Sequence, residues 1–377
     1  MRFHIPTQIY FGSGIIAELE KIVKDQLGSK RPFLVTDHKI IETGLTDKVF
    51  SFFPDIPLFA DIEPNPRHTT VSEAGDMIRR EKADLIIAVG GGSVLDAGKA
   101  AALLATNKGR IEDYEGREKY KVPPLPVVAV PTTCGTGSEV TWVSVITHTE
   151  RKFKMSIKGT LMFPAAAFVD PDFLISLPKT LIASTGMDAL THAIEAYTVK
   201  PATFITDILA REAVKLIYPA LEPAFEDIRK NREAREKIMK GSLLAGMAFG
   251  NSDVGAVHCI AESIGSMYDT PHGIANAVFL PYVMAYNLPD AAQRYAELGS
   301  LVGMKGSDAV SMAHNFIEEI KGLSKWMGIP SFRDFKINEK DLPEIAQKSF
   351  QNNSNPSNIR NLTAGDYLEI LQSALKG

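Results

Sequence analysis

The stretch DLIIAVGGGSVLDAGKA, residues 84–100, limits the fold more than any other part of the chain. LIIAV is apolar at every position, so a strand built from it has no face to offer water. Such a strand belongs inside a sheet covered on both sides, as parallel sheets are. Three glycines follow, Gly90, Gly91 and Gly92, and a helical pattern then opens at Ser93. The rest of the first half repeats the alternation. RPFLVTD (core at 32–37), PVVAVP (126–131) and AAFVD (166–170) read as further buried strands. TTVSEAGDMIRREK (69–82) and SVLDAGKAAALLA (93–105) read as helices between them. Strand, helix, strand in alternation predicts a parallel α/β sheet with helices on both faces.

The strand signal stops near residue 178. Amphipathic helical patterns follow over 181–198, 205–222, 230–249, 254–267, 274–286, 290–303, 307–327, 339–350 and 363–375, punctuated by Pro and Gly. The expected organisation is an α/β domain over 1–178 and an all-helical domain over 179–377, with the boundary at SLPKT (176–180). A chain of 377 residues suits two domains. No repeat of 20 to 50 residues stands out, and QNNSNPSNIRN (351–361) reads as a polar loop before the last helix.

Composition excludes several classes. A net charge of −4 gives no reason to expect nucleic acid or an anionic membrane as partner. No apolar run reaches the roughly 18 residues of a membrane span. Two cysteines, Cys134 and Cys259, do not make a disulfide framework and suit a reducing compartment. The start MRFHIPTQIYFGSG lacks the features of a secretory leader. A cytoplasmic globular protein is expected.

Three loops at predicted strand ends look built for a dinucleotide. In GGGSVLDAGKA the glycines let a ligand approach the backbone, and the free N–H groups of a helix starting at Ser93 attract an anion such as a pyrophosphate. The spacing is neither GxGxxG nor a Walker A loop; alone it is equally a tight strand-to-helix turn. Asp37, ending RPFLVTD, suits a ribose diol and repels a 2′-phosphate, which favours NAD over NADP; alone it is equally a helix-start residue. PTTCGTGSEVT (131–141) gathers the hydroxyls of Thr132, Thr133, Thr136, Ser138 and Thr141 around two glycines. Cys134 within it reads as a small buried packing residue.

The chain has eight histidines. His4, His38, His68, His148 and His314 read as structural or exposed. His192 follows Asp188 by four residues, so on a helix both point one way and can chelate one ion. Glu195 falls near the same face. HCIAESIGSMYDTPHG (258–273) adds His258 and Glu262, again four apart, and His272 on a Pro-His-Gly turn. Spacing allows a site of Asp188, His192 and His258 completed by either Glu262 or His272. Such mixed ligands suit Fe(II), Zn(II) or a similar ion.

In order, FGSG (11–14), GGGSVLDAGKA, PTTCGTGSEVT, FVDPDFL (168–174), MDALTHAIEAY (187–197) and YDTPHGIANAVFLP (268–281) resemble the iron-containing, or group III, alcohol dehydrogenases over nearly the whole chain. The resemblance implies a Rossmann-like domain plus a helical domain, a dehydroquinate-synthase-like architecture. It implies metal ligands Asp188, His192, His258 and His272, with Fe(II) as the first choice of ion. It implies NAD(P) contacts from Asp37, Asn65, Gly91, Gly92, Ser93, Asp96, the 132–141 hydroxyls and Lys154. It also implies a homodimer or larger assembly. Glu262 departs from the histidine many members carry there, and NSDVG (251–255) departs from their more apolar segment, so a more polar substrate is expected.

The expected chemistry is reversible hydride transfer between a small alcohol and nicotinamide, the metal polarising the substrate oxygen. His272 serves at the metal, Glu262 is a candidate proton acceptor, and Phe249 and Trp142 are candidate pocket walls. Rival readings on the same fold are glycerol-dehydrogenase-like and dehydroquinate-synthase-like zinc enzymes; the second needs a basic cluster for an acidic substrate, and none lies near the metal motifs. A non-catalytic NAD- or metal-binding sensor would need no open metal position.

Overall fold

The apolar runs of the first half line up as one parallel sheet. In the computed structural model, which describes residues 3–377, the strands are β1 (Gln8–Phe11), β2 (Pro32–Val35), β3 (Leu58–Phe59), β4 (Leu85–Gly90), β5 (Gly116–Arg117), β6 (Val127–Pro131), β7 (Val143–His148), β8 (Phe153–Lys158) and β9 (Ala166–Val169). Six of them form a sheet in the order β1-β9-β6-β4-β2-β3, every neighbouring pair parallel. Every residue of β4 and β6 is buried, as two covered faces require.

Helices α1 (Leu19–Lys21), α2 (His38–Glu42), α3 (Asp47–Phe52), α4 (His68–Arg80) and α5 (Gly92–Thr106) run between the strands. Two apolar clusters flank the sheet. One joins Ile86 and Ala88 to Val71 and Ile78 of α4 and to α5; the other joins Ile87 and Val89 to Leu19, Val23 and Phe53. Alternate residues of β4 therefore feed opposite cores. Since the strands are parallel, the loops after β2, β4 and β6 leave one edge of the sheet. In such sheets ligands bind beyond the carboxyl ends of the strands.

Sequence patterning missed the smaller sheet, β5-β8-β7, in which β7 and β8 pair antiparallel. VSVITH and FKMSIK mix polar and apolar residues because one face of this hairpin stays partly open, which hides them from a search for fully apolar runs.

The chain divides into two compact units. One comprises residues 4–133 and 137–177; the other comprises residues 134–136 and 178–377, with residue 3. The second contains α6 (Lys179–Thr198), α7 (Phe204–Asp227), α8 (Arg232–Phe249), α9 (Ala256–Tyr268), α10 (His272–Leu301), α11 (Ala309–Trp326), α12 (Leu342–Gln351) and α13 (Ala364–Lys376). The expected helices at 274–286 and 290–303 are one helix, α10, running through Pro281 and Pro289. Proline removes a helical hydrogen bond. Here burial of Val278, Phe279, Leu280, Val283, Met284 and Tyr295 along one helix outweighs that loss. No helix among the described residues is long and apolar enough to cross a membrane.

Candidate metal centre and cofactor loops

Asp188 and His192 lie one turn apart on α6, and nearly every residue of that helix from 186 to 198 is buried. His258 is in the first turn of α9, and His272 is the first residue of α10. The chain reverses between those two helices at Asp269, which takes a left-handed conformation at φ 53°. Gly273 lets α10 start against α6, since a Cβ there would stand 2.4 Å from the Ser184 carbonyl oxygen. These helix positions bring Asp188, His192, His258 and His272 together.

The Nε2 atoms of His192 and His258 are 2.9 Å apart. Asp188 Oδ1 is 3.9 Å from His272 Nε2, and Asp188 Oδ2 is 3.9 Å from His192 Nδ1. Donor atoms of Asp188, His258 and His272 all lie within 4.8 Å of one another. Ligands of a tetrahedral ion bound at 2.0–2.1 Å are about 3.3–3.5 Å apart, so the spread suits one small ion. Asp188, His192 and His258 are buried, whereas the side chain of His272 keeps 26 % exposure.

Protons settle the direction of the His258 lone pair. Its Nδ1 is 2.5 Å from Glu195 Oε2. An ionised carboxylate only accepts, so Nδ1 carries the hydrogen and Nε2 presents a lone pair. Glu195 Oε1 also accepts from the Val257 amide at 2.8 Å, which fixes the carboxylate. Glu195, near the chelating face by spacing, thus orients a histidine from behind.

Asn276, which no sequence signal singled out, lies at the focus. Its Nδ2 is 2.6 Å from Asp188 Oδ1, 3.1 Å from His258 Nε2 and 3.2 Å from His272 Nε2. Two amide hydrogens face three acceptors, and Asn276 Oδ1 is buried without a partner. This excess of electron pairs over protons suits a cation.

Electrostatics agree. Burial holds the His192 imidazole down to about 4, so it is a neutral donor near pH 7. Burial also works to lower His258, but the charge and hydrogen bond of Glu195, then Asp188 and Glu262, raise it overall. The surrounding carboxylates therefore attract positive charge, proton or metal. Phe249 stacks on His192 with centroids 4.2 Å apart. Glu262 lies one turn beyond His258, half-buried, and its Oε2 accepts from Asn352 Nδ2 at 2.6 Å.

In the α/β unit, Asp37 is the N-cap of α2, its Oδ1 accepting from the Ile40 amide at 2.9 Å. Gly91 is the N-cap of α5, and Gly92 and Ser93 open the helix. A Cβ on Gly91 would come 3.1 Å from Thr133 Cγ2, so the loops after β4 and β6 touch. The Thr132 amide donates to the Gly90 carbonyl at 3.0 Å, while Thr132 Oγ1 is buried without a partner. Such an orphaned hydroxyl fits a ligand-binding loop.

Asp96 and Ser138 meet each other. Asp96 Oδ1 accepts from Ser138 Oγ at 2.5 Å and Oδ2 from the Val145 amide at 2.9 Å. The buried Lys99 ammonium donates to the carbonyls of Ser138 and Val143 and to Thr141 Oγ1. Lys154 and Asn65, far apart in sequence, are joined by a 2.9 Å hydrogen bond. Trp142 lies under the Arg117 guanidinium. Residues 134–136, Thr136 among them, group with the helical unit, and burial pushes the Cys134 thiol up to about 11, which suits packing and not nucleophilic attack.

Two family descriptions match: "Iron-containing alcohol dehydrogenase" over residues 6–171, and the C-terminal part of the "Fe-containing alcohol dehydrogenase family" over residues 182–375. The NAD-dependent methanol dehydrogenase of Bacillus methanolicus is 38% identical over 383 residues, covering 99% of each chain. The 1,3-propanediol dehydrogenase of Klebsiella pneumoniae is 38% identical, covering 98% of this chain and 97% of its own. A crystal structure of 1,3-propanediol oxidoreductase superposes with a TM-score of 0.95 at 38% identity, covering 99% of both chains. The chain belongs to the iron-containing alcohol dehydrogenase family: it is an alcohol oxidoreductase.

Proposed function

We propose that the protein is an NAD-linked alcohol dehydrogenase and aldehyde reductase that uses Fe(II), prefers NAD(H) to NADP(H), and acts on small alcohols and aldehydes as a cytoplasmic homodimer or larger homo-oligomer. The observation that carries the reading is the convergence of Asp188, His258 and His272, with His192 Nε2 2.9 Å from His258 Nε2 and Glu195 holding the far side of His258. Those four residues would hold the ion. When bound, the ion supplies a Lewis acid for the substrate oxygen and the nicotinamide supplies the hydride.

The chain's own groups do the rest. Glu195 keeps the His258 proton on Nδ1, away from the centre. Phe249 covers one face of His192 and excludes water there. His272, the most open of the four, marks the side left for substrate. Glu262 is assigned to proton acceptance through water and to substrate choice; its link to Asn352 fixes its direction.

For the cofactor, the α5 N-terminus at Gly91, Gly92 and Ser93 takes the pyrophosphate. The hydroxyls of Thr132, Thr133 and Thr141 line its path. Asp96 and Ser138 hold that loop through their shared hydrogen bond. The Lys154–Asn65 pair serves the nicotinamide ribose. Asp37 keeps one oxygen on the α2 amide and offers the other to the adenosine ribose.

The deciding experiment is anaerobic purification, metal analysis, and NADH and NADPH oxidation with small aldehydes and ketones after restoring Fe(II), Zn(II), Ni(II) or Mn(II). Turnover highest with Fe(II) and NADH is expected; no turnover with any ion sinks the reading.

Asp37→Asn tests the cofactor preference. Asn caps a helix as well as Asp does, so α2 should survive. Two unit charges 4 Å apart near a protein surface repel by roughly 4 kcal/mol, less after solvent relaxation. The NADH-over-NADPH ratio of kcat/KM should therefore fall about 10-fold, roughly 1.4 kcal/mol. An unchanged ratio would remove Asp37 from the ribose site.

A further inference from the structure

A second group of metal-type side chains lies in the α/β unit, beside the hairpin that carries Lys154. His68 opens α4, His148 ends β7, Glu150 sits in the turn to β8, and Glu112 lies in the short helical turn Ile111–Tyr114. His68 is buried to 3 % exposure, and its ring lies against that of His148 with centroids 4.6 Å apart and planes 26° apart.

Hydrogen bonds fix which nitrogen of each ring faces the carboxylates. His68 Nδ1 donates to the Thr147 carbonyl oxygen at 3.3 Å, which leaves Nε2 as the nitrogen that faces them. His148 Nδ1 accepts the Arg151 amide at 3.4 Å, a bond that an ion on this nitrogen replaces. Glu150 Oε2 is 3.3 Å from His68 Nε2 and 3.0 Å from His148 Nδ1. Glu112 Oε1 is a further 3.8 Å from His68 Nε2. A positive charge belongs between these carboxylate oxygens and the ring nitrogens facing them, either a proton on an imidazole or a metal ion. The separations of 3.0–3.8 Å bracket the about 3.3–3.5 Å edge of a tetrahedral site with ligands at 2.0–2.1 Å.

We propose that His68, His148 and Glu150, with Glu112 as fourth donor, form a second divalent-cation site of the zinc type, distinct from the centre on α6, α9 and α10. Two imidazoles and two carboxylates are the ligand chemistry of Zn(II) and its neighbours. Arg110 Nη2 lies 2.5 Å from Glu112 Oε1 and competes for that carboxylate, whereas Glu112 Oε2 is buried without a partner and is the oxygen free to turn inward. The ion ties the β7–β8 turn to the start of α4. Asn65 lies three residues before His68, and Lys154 faces Thr147 across the hairpin, so the ion braces the segment that holds their hydrogen bond. The competing state is a doubly protonated His68 satisfied by the carboxylates without metal.

The test is equilibrium dialysis of the chelator-stripped full chain against Zn(II), with Co(II) absorption as a second readout. Wild type should bind two equivalents. His148→Ala and Glu150→Gln, both at the hairpin tip, should each bind one. His272→Ala should also bind one, and the His148→Ala/His272→Ala double variant none. Zn(II) should raise the melting temperature of His272→Ala but not of the double variant, a readout needing no catalysis. One equivalent in wild type, unchanged in His148→Ala and lost in His272→Ala, would overturn the second site and leave the catalytic centre standing. A single equivalent that survives in His272→Ala and vanishes in His148→Ala would sustain the second site while refuting the first.

Discussion

His272→Ala should abolish metal loading at the α6–α9–α10 centre, Glu195→Gln should weaken it by about 10–100-fold, and Glu262→Gln should leave it within a few-fold of wild type. The order follows from what each side chain touches. His272 Nε2 is one of the converging donor atoms, so its loss leaves three. Glu195 touches only the far nitrogen of His258, and loss of such an outer partner costs about 10–100-fold in affinity. Glutamine is a severe change here for a specific reason. The Val257 amide must donate to the oxygen of residue 195, which turns the new NH2 toward His258 Nδ1. That NH2 donates, so the imidazole proton moves to Nε2, where the metal belongs. Glu262 contacts Asn352 instead, and a glutamine oxygen can still accept that bond. Equilibrium dialysis on folded variants reads the series. Glu262→Gln losing metal while His272→Ala keeps it would reverse the ligand set.

The buried strands β2, β4, β6 and β9 and the pairing of Asp188 with His192 on one helix face could be read from the chain because each rests on short-range periodicity. A continuous apolar run marks a covered strand, and a four-residue spacing marks one helix face. What escaped depended on partners far along the chain. Glu195 has no local reason to be a histidine's anchor; its role exists because the first turn of α9 brings His258 to α6, 63 residues on. His68 and His148 looked unremarkable because they are 80 positions apart and meet only through a hairpin that polar alternation concealed. Pro281 and Pro289 argued for two helices, and only packing along the whole of α10 overrides them. Asp253 of NSDVG also has a distant partner: it accepts from Ser354 and Ser357 at 3.0 and 2.6 Å and so anchors the polar loop at 351–361.

That loop, read from composition as a polar stretch before the last helix, is a scaffold for α9, and the second large effect is expected there. Asn358 is buried to 2 % exposure. It exchanges two 3.0 Å hydrogen bonds with Asn287, donates to the Arg360 carbonyl at 2.9 Å, and accepts the Ala256 amide at 3.3 Å. Asn358→Ala strands the buried Asn287 carboxamide oxygen and one N–H at the start of α9. Each buried unsatisfied group costs about 1–3 kcal/mol, so a loss of about 2–4 kcal/mol is expected with partial relaxation. Asn287→Ala/Asn358→Ala should cost less than the sum of the single changes by at least about 1 kcal/mol, because the second substitution removes groups the first left unpaired. Denaturant midpoints of the metal-free chains give both numbers. Metal affinity should fall as well, since Asn358 and Glu195 hold consecutive amides, Ala256 and Val257, of the turn that carries His258. Additive costs with unchanged metal binding would show that the loop merely covers α9, leaving the position of His258 to Glu195 alone.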